Sequence, residues 1–200
     1  MKKIVFISLL TTMTYFTQAQ VHTDFGIKGG LNLANLKIEN TSSPDSKVGL
    51  NLGLLAHIHF EPHWAIQPEL MYSDQGAKED VSGTEVKAKL HYINVPVLLQ
   101  YMTGSGFRIQ TGPQFGILAS AKTKSGDSES NADNYYKTFD LAWAIGASYI
   151  TNSGFGVDAR YNIGLADIND AGGSSIKNRV WQFGLFYQFK VSSSPQKHRK

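Results

Sequence analysis

The chain of 200 residues contains no cysteine and only six prolines. The absence of cysteine excludes a disulfide framework, a thiolate metal site and a lipid attached through a cysteine. Behind the first residues, no window holds the roughly 18 apolar residues that a membrane-spanning helix requires. A core, or a contact with a membrane, must therefore come from shorter elements.

The chain also lacks a basic surface, although its formal net charge is +3 and its pI is near 9.0. Removing Lys2 and Lys3 leaves +1, and removing the four cations of 190–200 leaves the body at −3. A nucleic-acid partner is not indicated, because such binding needs cations clustered on the folded domain. The basic end, 191–200, is predicted to be a disordered tail.

The N-terminus has the features of an export signal. Two lysines directly after Met1 precede a short apolar run, and small residues stand at Thr17 and Ala19, the −3 and −1 positions of a cleavage site. We predict a cleaved signal peptide over 1–19. The mature protein then comprises one domain over 20–190 and the tail.

Apolar residues recur at every second position through most of this domain. In "WQFGLFYQF", residues 181–189, large apolar side chains alternate with Gln and Gly, and only the second Phe breaks the pattern. A period of two predicts a β-strand with one apolar and one small or polar face. Seven further segments follow the pattern: 25–34, 48–60, 64–73, 90–101, 107–117, 138–151 and 155–164.

The connections between these segments alternate in length. Short turns lie at 61–64, 103–106 and 151–154, and long polar segments lie at 36–46, 74–88, 122–137 and 166–177. An even number of strands with short turns on one side and long loops on the other is typical of outer-membrane barrels. A soluble sandwich has no reason to sort its connections in this way.

The size of the side chains indicates which face points outward. An eight-stranded barrel has room inside for small and polar side chains only, so the Phe, Trp, Tyr, Leu and Ile face must point to lipid. Aromatic residues also gather at both strand ends, as membrane interfaces require. The predicted fold is all-β, an eight-stranded antiparallel up-and-down transmembrane β-barrel.

The opening strand "FGIKGGLNLANL" (25–36) and the closing strand "WQFGLFYQF" resemble the PorT-like outer-membrane β-barrel family of Gram-negative bacteria. The resemblance covers nearly all of 20–190 and implies a location in the cell outer membrane. It implies no activity. We expect a monomer whose partners are outer-membrane lipid, lipopolysaccharide and, during biogenesis, the barrel-assembly machinery. The tail after Phe189 departs from the usual terminal aromatic residue.

Six charged residues fall on the lumen-facing positions. They are Lys28, Glu69, Arg108, Asp140, Asp158 and Arg160. Unpaired buried charge is costly, so three carboxylates and three cations predict paired plugs that fill the interior. The alternative is a selectivity ring in a pore. We predict that Lys28 meets Glu69 or Asp158.

No catalytic, cofactor or metal site is predicted. A metal needs three or four converging ligands, and the available histidines divide between the lumen and a turn. A serine, a histidine and an aspartate share one rim, but no nucleophile elbow accompanies them. The residues considered were His57, His59 and His63 for a metal, and Ser73, Asp74 and His91 for catalysis. We therefore expect that the protein is not an enzyme.

The long loops carry mixed charge and few large apolar groups. Tyr135 and Tyr136 are the exceptions, and we predict them as candidates for contact with an external partner. The first hypothesis is a plugged barrel with a structural or interaction role through four extracellular loops. The alternatives are a narrow channel for small solutes and a periplasmic, lipocalin-like lipid binder.

Overall fold

The computed structural model of the protein describes residues 22–81 and 83–189. The predicted signal peptide and basic tail lie outside these residues. Strands dominate the described chain, with one short 3₁₀ helix, and no described helix is long and apolar enough to cross a membrane. The elements are β1 (His22–Ile38), β2 (Asp45–Glu61), β3 (Trp64–Val81), β4 (Thr84–Met102), β5 (Phe107–Ser125), β6 (Ser128–Asn131), the 3₁₀ helix (Asp133–Tyr135), β7 (Phe139–Ile150), β8 (Phe155–Gly164) and β9 (Ile176–Phe189).

Eight of these strands close into a ring. Neighbours in sequence pair antiparallel from β1 to β5 and from β7 to β9, β5 pairs with β7, and β9 pairs back with β1. The short β6 lies outside the ring and pairs only with the end of β5. The predicted eight-stranded up-and-down barrel is confirmed.

The first and last strands form the seam that closes the ring. Their antiparallel ladder runs without interruption from Phe25 opposite Phe189 to Ile38 opposite Ile176. The two sequence motifs that opened and closed the pattern are thus neighbours in space. Complete closure removes the free sheet edges at which strands of other chains could add.

The barrel has apolar side chains on its outside and polar side chains inside, the reverse of a soluble protein. Leu52 and Leu185 point outward and are 66% and 68% exposed, whereas Arg160 points inward and is 0% exposed. Aromatic side chains lie at both ends of the outer face. Trp64 packs edge-on to Tyr101 beside the short turns, and Trp181 stacks on Tyr161 near the loops. An apolar band with aromatic borders is the surface that a bilayer covers.

The predicted boundaries of the loops were wrong at several places. The segment 74–88 is not a loop, because β3 and β4 stay paired as far as Val81 opposite Thr84. In 122–137, β5 continues to Ser125 and β6 pairs with it. Beyond the apolar band the outer face of the strands meets water and not lipid, so pairing continues while the alternation of apolar and polar residues stops. The remaining connections shorten to 39–44 and 165–175.

Candidate functional site

Four charged side chains form an ion network in the middle of the barrel. Lys28 Nζ lies 2.5 Å from Asp158 Oδ2 and 3.9 Å from Glu69 Oε1. Arg160 Nη2 donates to Glu69 Oε2 at 2.8 Å. All four side chains are at most 2% exposed. Two cations and two carboxylates thus balance within the lumen, and both predicted partners of Lys28 contact it.

Neighbouring positions support this network. Gln67 donates from Nε2 to Glu69 Oε1 at 2.8 Å, and its own Oε1 lies 3.2 Å from Nδ1 of His57. Gly184 of β9 leaves the space that the ion pair fills, because a Cβ there would stand 2.5 Å from Asp158 Oδ1. Buried carboxylates need several donors to offset lost hydration, and these contacts supply them.

A layer of amides lies next to the ion network, toward the long loops. Asn32 Nδ2 donates to Ser73 Oγ at 2.9 Å, and Asn32 Oδ1 accepts from Asn51 at 2.8 Å and from Gln182 at 3.0 Å. Strands β1, β2, β3 and β9 are thereby tied together across the lumen. The predicted lumen contacts involved charged residues only, so this layer was not among them. The feature of the sequence that indicates the amide layer is the recurrence of Asn and Gln on the polar face of successive strands.

The other two predicted lumen charges stand apart from the network. Arg108 lies toward the short turns, where its Nη2 donates to Gln188 Oε1 at 3.0 Å. Asp140 lies toward the loops and accepts from Asn178 Nδ2 at 2.8 Å. Within the described chain neither has an oppositely charged partner within 4 Å. Four of the six predicted charges therefore meet, and two do not.

The two ends of the lumen differ. At the turn end, a cavity of about 610 Å³ opens to solvent, with Asp24, Arg108 and Gln188 in its polar wall. At the loop end, buried side chains form an apolar cluster. It consists of Leu36, Ala77, Leu90, Tyr92, Ala121, Ala132 and Ile168. The turn end therefore holds a solvent-open cavity, and the loop end holds a buried apolar cluster.

Backbone hydrogen bonds hold this apolar cluster, hereafter the cap, in place. Lys137 N donates to Ile168 O at 2.8 Å, and Asp170 N donates to Tyr135 O at 3.0 Å. Asp167 fastens the same segment, because its Oδ1 accepts from the backbone N–H groups of Asn169 and Ile176 at 3.1 and 2.9 Å. The loop after β6 and the loop after β8 thus form one lid. The sequence showed no period that could reveal it.

The chain matches the model of a known protein family. A family model described as an outer membrane protein beta-barrel domain matches residues 18–170. The chain belongs to this family. No curated protein matches it.

Solved structures with similar folds are also outer-membrane barrels. The attachment invasion locus protein Ail of Yersinia pestis has a TM-score of 0.54 at 18% identity, covering 84% of this chain and 99% of Ail. Neisserial surface protein A has a TM-score of 0.59 at 17% identity, covering 82% of this chain and 97% of that protein. At these identities the likeness concerns the fold.

In this outer-membrane barrel the two predicted contact tyrosines have different surroundings. Tyr135 is 60% exposed at the loop end. Tyr136 is half-buried and packs against the cap. The expectation that both rings contact a partner stays a prediction. Tyr135 is the more accessible of the two, because the cap covers part of Tyr136.

The residues considered for metal binding and catalysis do not assemble into a site. His57 is buried on Gln67, His59 lies 3.7 Å from Asp24, and His63 stacks on Tyr101. Among the described residues, no group of three or more His, Cys, Asp or Glu side chains could hold a metal ion.

The serine and histidine of the considered catalytic set also point to different partners. Ser73 is buried and accepts from Asn32. His91 shares a 2.7 Å hydrogen bond with the hydroxyl of Tyr72, and its Nδ1 lies 3.6 Å from Asp74. No hydrogen bond joins Ser73 to His91 in the described chain. A histidine that does not reach the serine cannot act as its base.

Proposed function

We propose that the protein is a plugged outer-membrane barrel with a structural or interaction role, exercised through its loops. The observation that supports the proposal is that the ion network around Glu69 and the cap around Ile168 occupy two levels of the barrel. A lumen filled at two levels leaves the surface of the loop end as the part able to act. The proposal assigns no catalytic role.

The proposal includes an orientation and a set of partners. The short turns face the periplasm and the long loops face outward, as in bacterial outer-membrane barrels generally. The surrounding partners are outer-membrane lipid and lipopolysaccharide, and the barrel-assembly machinery acts during biogenesis on a monomer. Export by a signal peptide over 1–19 and a basic tail over 191–200 complete the proposal.

We also place the chain in the PorT-like branch of outer-membrane barrels. The support is that the two motifs of the resemblance form one continuous ladder, in which Leu33 pairs with Trp181. The contact surface is centred on Tyr135, whose ring is exposed and whose backbone accepts a hydrogen bond from Asp170 N. Exposed aromatic residues on rigid backbone are frequent anchors of protein interfaces.

A second candidate function is a narrow channel for small solutes. The cavity at the turn end favours it, because a vestibule of about 610 Å³ leads from solvent to Arg108. Nη1 of Arg108 and Nε2 of Gln188 have no hydrogen-bond partner there. A soluble lipid binder is not proposed, since the apolar side chains point outward and polar ones line the interior.

Conductance in a planar bilayer separates the two candidates. The wild-type barrel, refolded and inserted, is expected to show no discrete openings across ±100 mV. A known open porin inserted under the same conditions serves as the positive control. Reproducible openings of uniform size in the wild-type protein would contradict the plugged barrel and support the channel.

A further inference from the structure

Three cations form a cluster on the outer face of the barrel, where β1 and β9 reach the loop end. Lys37 of β1 stands directly opposite Lys177 of β9, and Asn35 stands opposite Arg179. The odd positions of both strands point outward, so the three cations share the face of Trp181. The cluster Lys37, Lys177 and Arg179 therefore projects from the wall of the barrel and not into its lumen.

This cluster has no ion-pair partner in the described chain. None of the three cations has a carboxylate oxygen within 4 Å among the described residues. Glu39 and Ser175 border the same small cleft of about 90 Å³ as the two lysines, but Glu39 forms no ion pair with either. Like charges directly opposite each other on paired strands are destabilising.

Elsewhere the barrel places a glutamate between opposed lysines. Lys78 of β3 stands opposite Lys87 of β4. Glu85 lies between them, 3.6 Å from the first ammonium group and 2.6 Å from the second. The repulsion of this pair is thus offset within the protein.

The same solution recurs one strand further round the ring. Lys89 of β4 stands opposite Lys122 of β5, and Glu129 of β6 contacts them at 2.6 and 2.8 Å. The short strand β6 brings this carboxylate into place. The pair of Lys37 and Lys177 is built in the same way but lacks the bridging anion in the described chain, so an anion from outside the protein fits there.

The position of the cluster indicates where that anion lies. Trp181 stacks on Tyr161 with ring centroids 4.6 Å apart and marks the aromatic border of the apolar band. Arg179 and Lys177 are the next two outward positions along β9, about 7 and 14 Å further along the strand at roughly 3.4 Å per residue. At a strand tilt of about 40° these paths correspond to about 5 and 10 Å along the membrane normal. The cluster therefore begins in the polar headgroup layer and reaches just beyond it.

We propose that Lys37, Lys177 and Arg179 bind a phosphate group of the phosphorylated glycolipid in the outer leaflet. An arginine guanidinium binds two phosphate oxygens at once, and two lysines beside it add charge without demanding a fixed direction. Trp181 and Tyr161 border the acyl chains below. The inference rests on the proposed orientation, in which the loop end faces the glycolipid leaflet.

Binding of lipid A in detergent micelles tests the inference. In a Trp64→Phe, Trp143→Phe background, Trp181 is the single tryptophan and reports on the site. We expect diphosphorylated lipid A to shift its fluorescence, and the triple substitution Lys37→Gln, Lys177→Gln, Arg179→Gln to weaken apparent binding about tenfold or more. If the triple variant does not fold, the single substitutions replace it, each expected to weaken binding about threefold.

The matched control removes the same charge from lysines elsewhere on the loop end, by Lys89→Gln, Lys122→Gln and Lys124→Gln. We expect this variant to bind as the unmodified background does. Equal binding by the triple variant of the cluster would overturn the inference. Equal binding of dephosphorylated lipid A, or of phosphatidylglycerol, would also overturn it, because the site would then not select a glycolipid phosphate. Displacement by equimolar inorganic pyrophosphate would assign the site to a free anion instead.

A separate measurement checks the orientation. The chain has no cysteine, so Ser174→Cys at the loop end and Ser105→Cys at the turn end each introduce one thiol. A membrane-impermeant maleimide applied to intact cells should label the first and not the second. The opposite pattern would contradict the proposed orientation, whereas correct labelling without lipid A binding would contradict only the phosphate site.

Discussion

At the scale of single residues, Glu69 is the side chain on which the interior depends. It accepts from Arg160 and Gln67 and lies 3.9 Å from Lys28 Nζ. Glu69→Ala would leave a buried guanidinium without its partner, and we expect it to lower the free energy of unfolding by about 3–5 kcal/mol. Urea titration in micelles measures this.

The double substitution Glu69→Met, Arg160→Met serves as the comparison for that prediction. Removing both charges leaves no unpaired ion from the pair, so the double variant should be more stable than Glu69→Ala. A double variant as unstable as the single one would show that the volume of the side chains, and not their charge, determines stability here.

Gly184 provides the second prediction at this scale. Its substitution by Ala would place a Cβ 2.5 Å from Asp158 Oδ1 and 3.2 Å from Lys28 Cε. The ion pair must then shift, and we expect a loss of about 1–3 kcal/mol in the same titration. Gly104→Ala is the control, because a Cβ there meets no atom within 4 Å. Equal effects at both positions would contradict the role of Gly184.

At the scale of elements, the strands were predictable where lipid touches them and less so beyond. Leu50 and Leu52 alternate with Asn51 because one face meets lipid and the other the lumen, and that alternation is visible in the sequence. The far halves of β3 and β4 meet water on the outside and carry ion pairs such as Lys78 with Glu85, which leave no period. The cap was missed because the loop around Ile168 has no apolar period.

The loop that carries Ile168 has a pH dependence that can be measured. The backbone N–H groups of Ile176 and Asn169 and the ammonium of Lys137 lower the pKa of Asp167 from 3.8 to about 2. Because the folded-state pKa is depressed, the stabilisation is complete above about pH 4 and is lost as pH falls toward 2. We expect pepsin, active over this range, to cut 165–175 increasingly as pH falls.

Asp167→Asn removes the titrating group and is the control for this loop. The variant loop should be cut fast at pH 4, and its cleavage rate should change little between pH 4 and 2. The rates are corrected for the pH dependence of pepsin itself by using an unstructured peptide of the same sequence. Identical pH profiles for the variant and the wild type would show that another group governs the loop. The barrel itself should stay intact throughout, as heat-modifiable gel mobility can report.

At the scale of the whole molecule, the ion network and the cap lie one behind the other in a single lumen. In the proposed plugged barrel these two obstacles act in series, so breaking either alone should leave the barrel without openings in a planar bilayer. We expect Glu69→Ala with Arg160→Ala to show no openings, and likewise Leu36→Ala with Ile168→Ala. The four substitutions together with Asn32→Ala, which breaks the amide layer beside the ion network, should give discrete openings. Openings in the first pair alone would mean that the cap does not obstruct the lumen, and openings in the second pair alone would mean the same of the ion network.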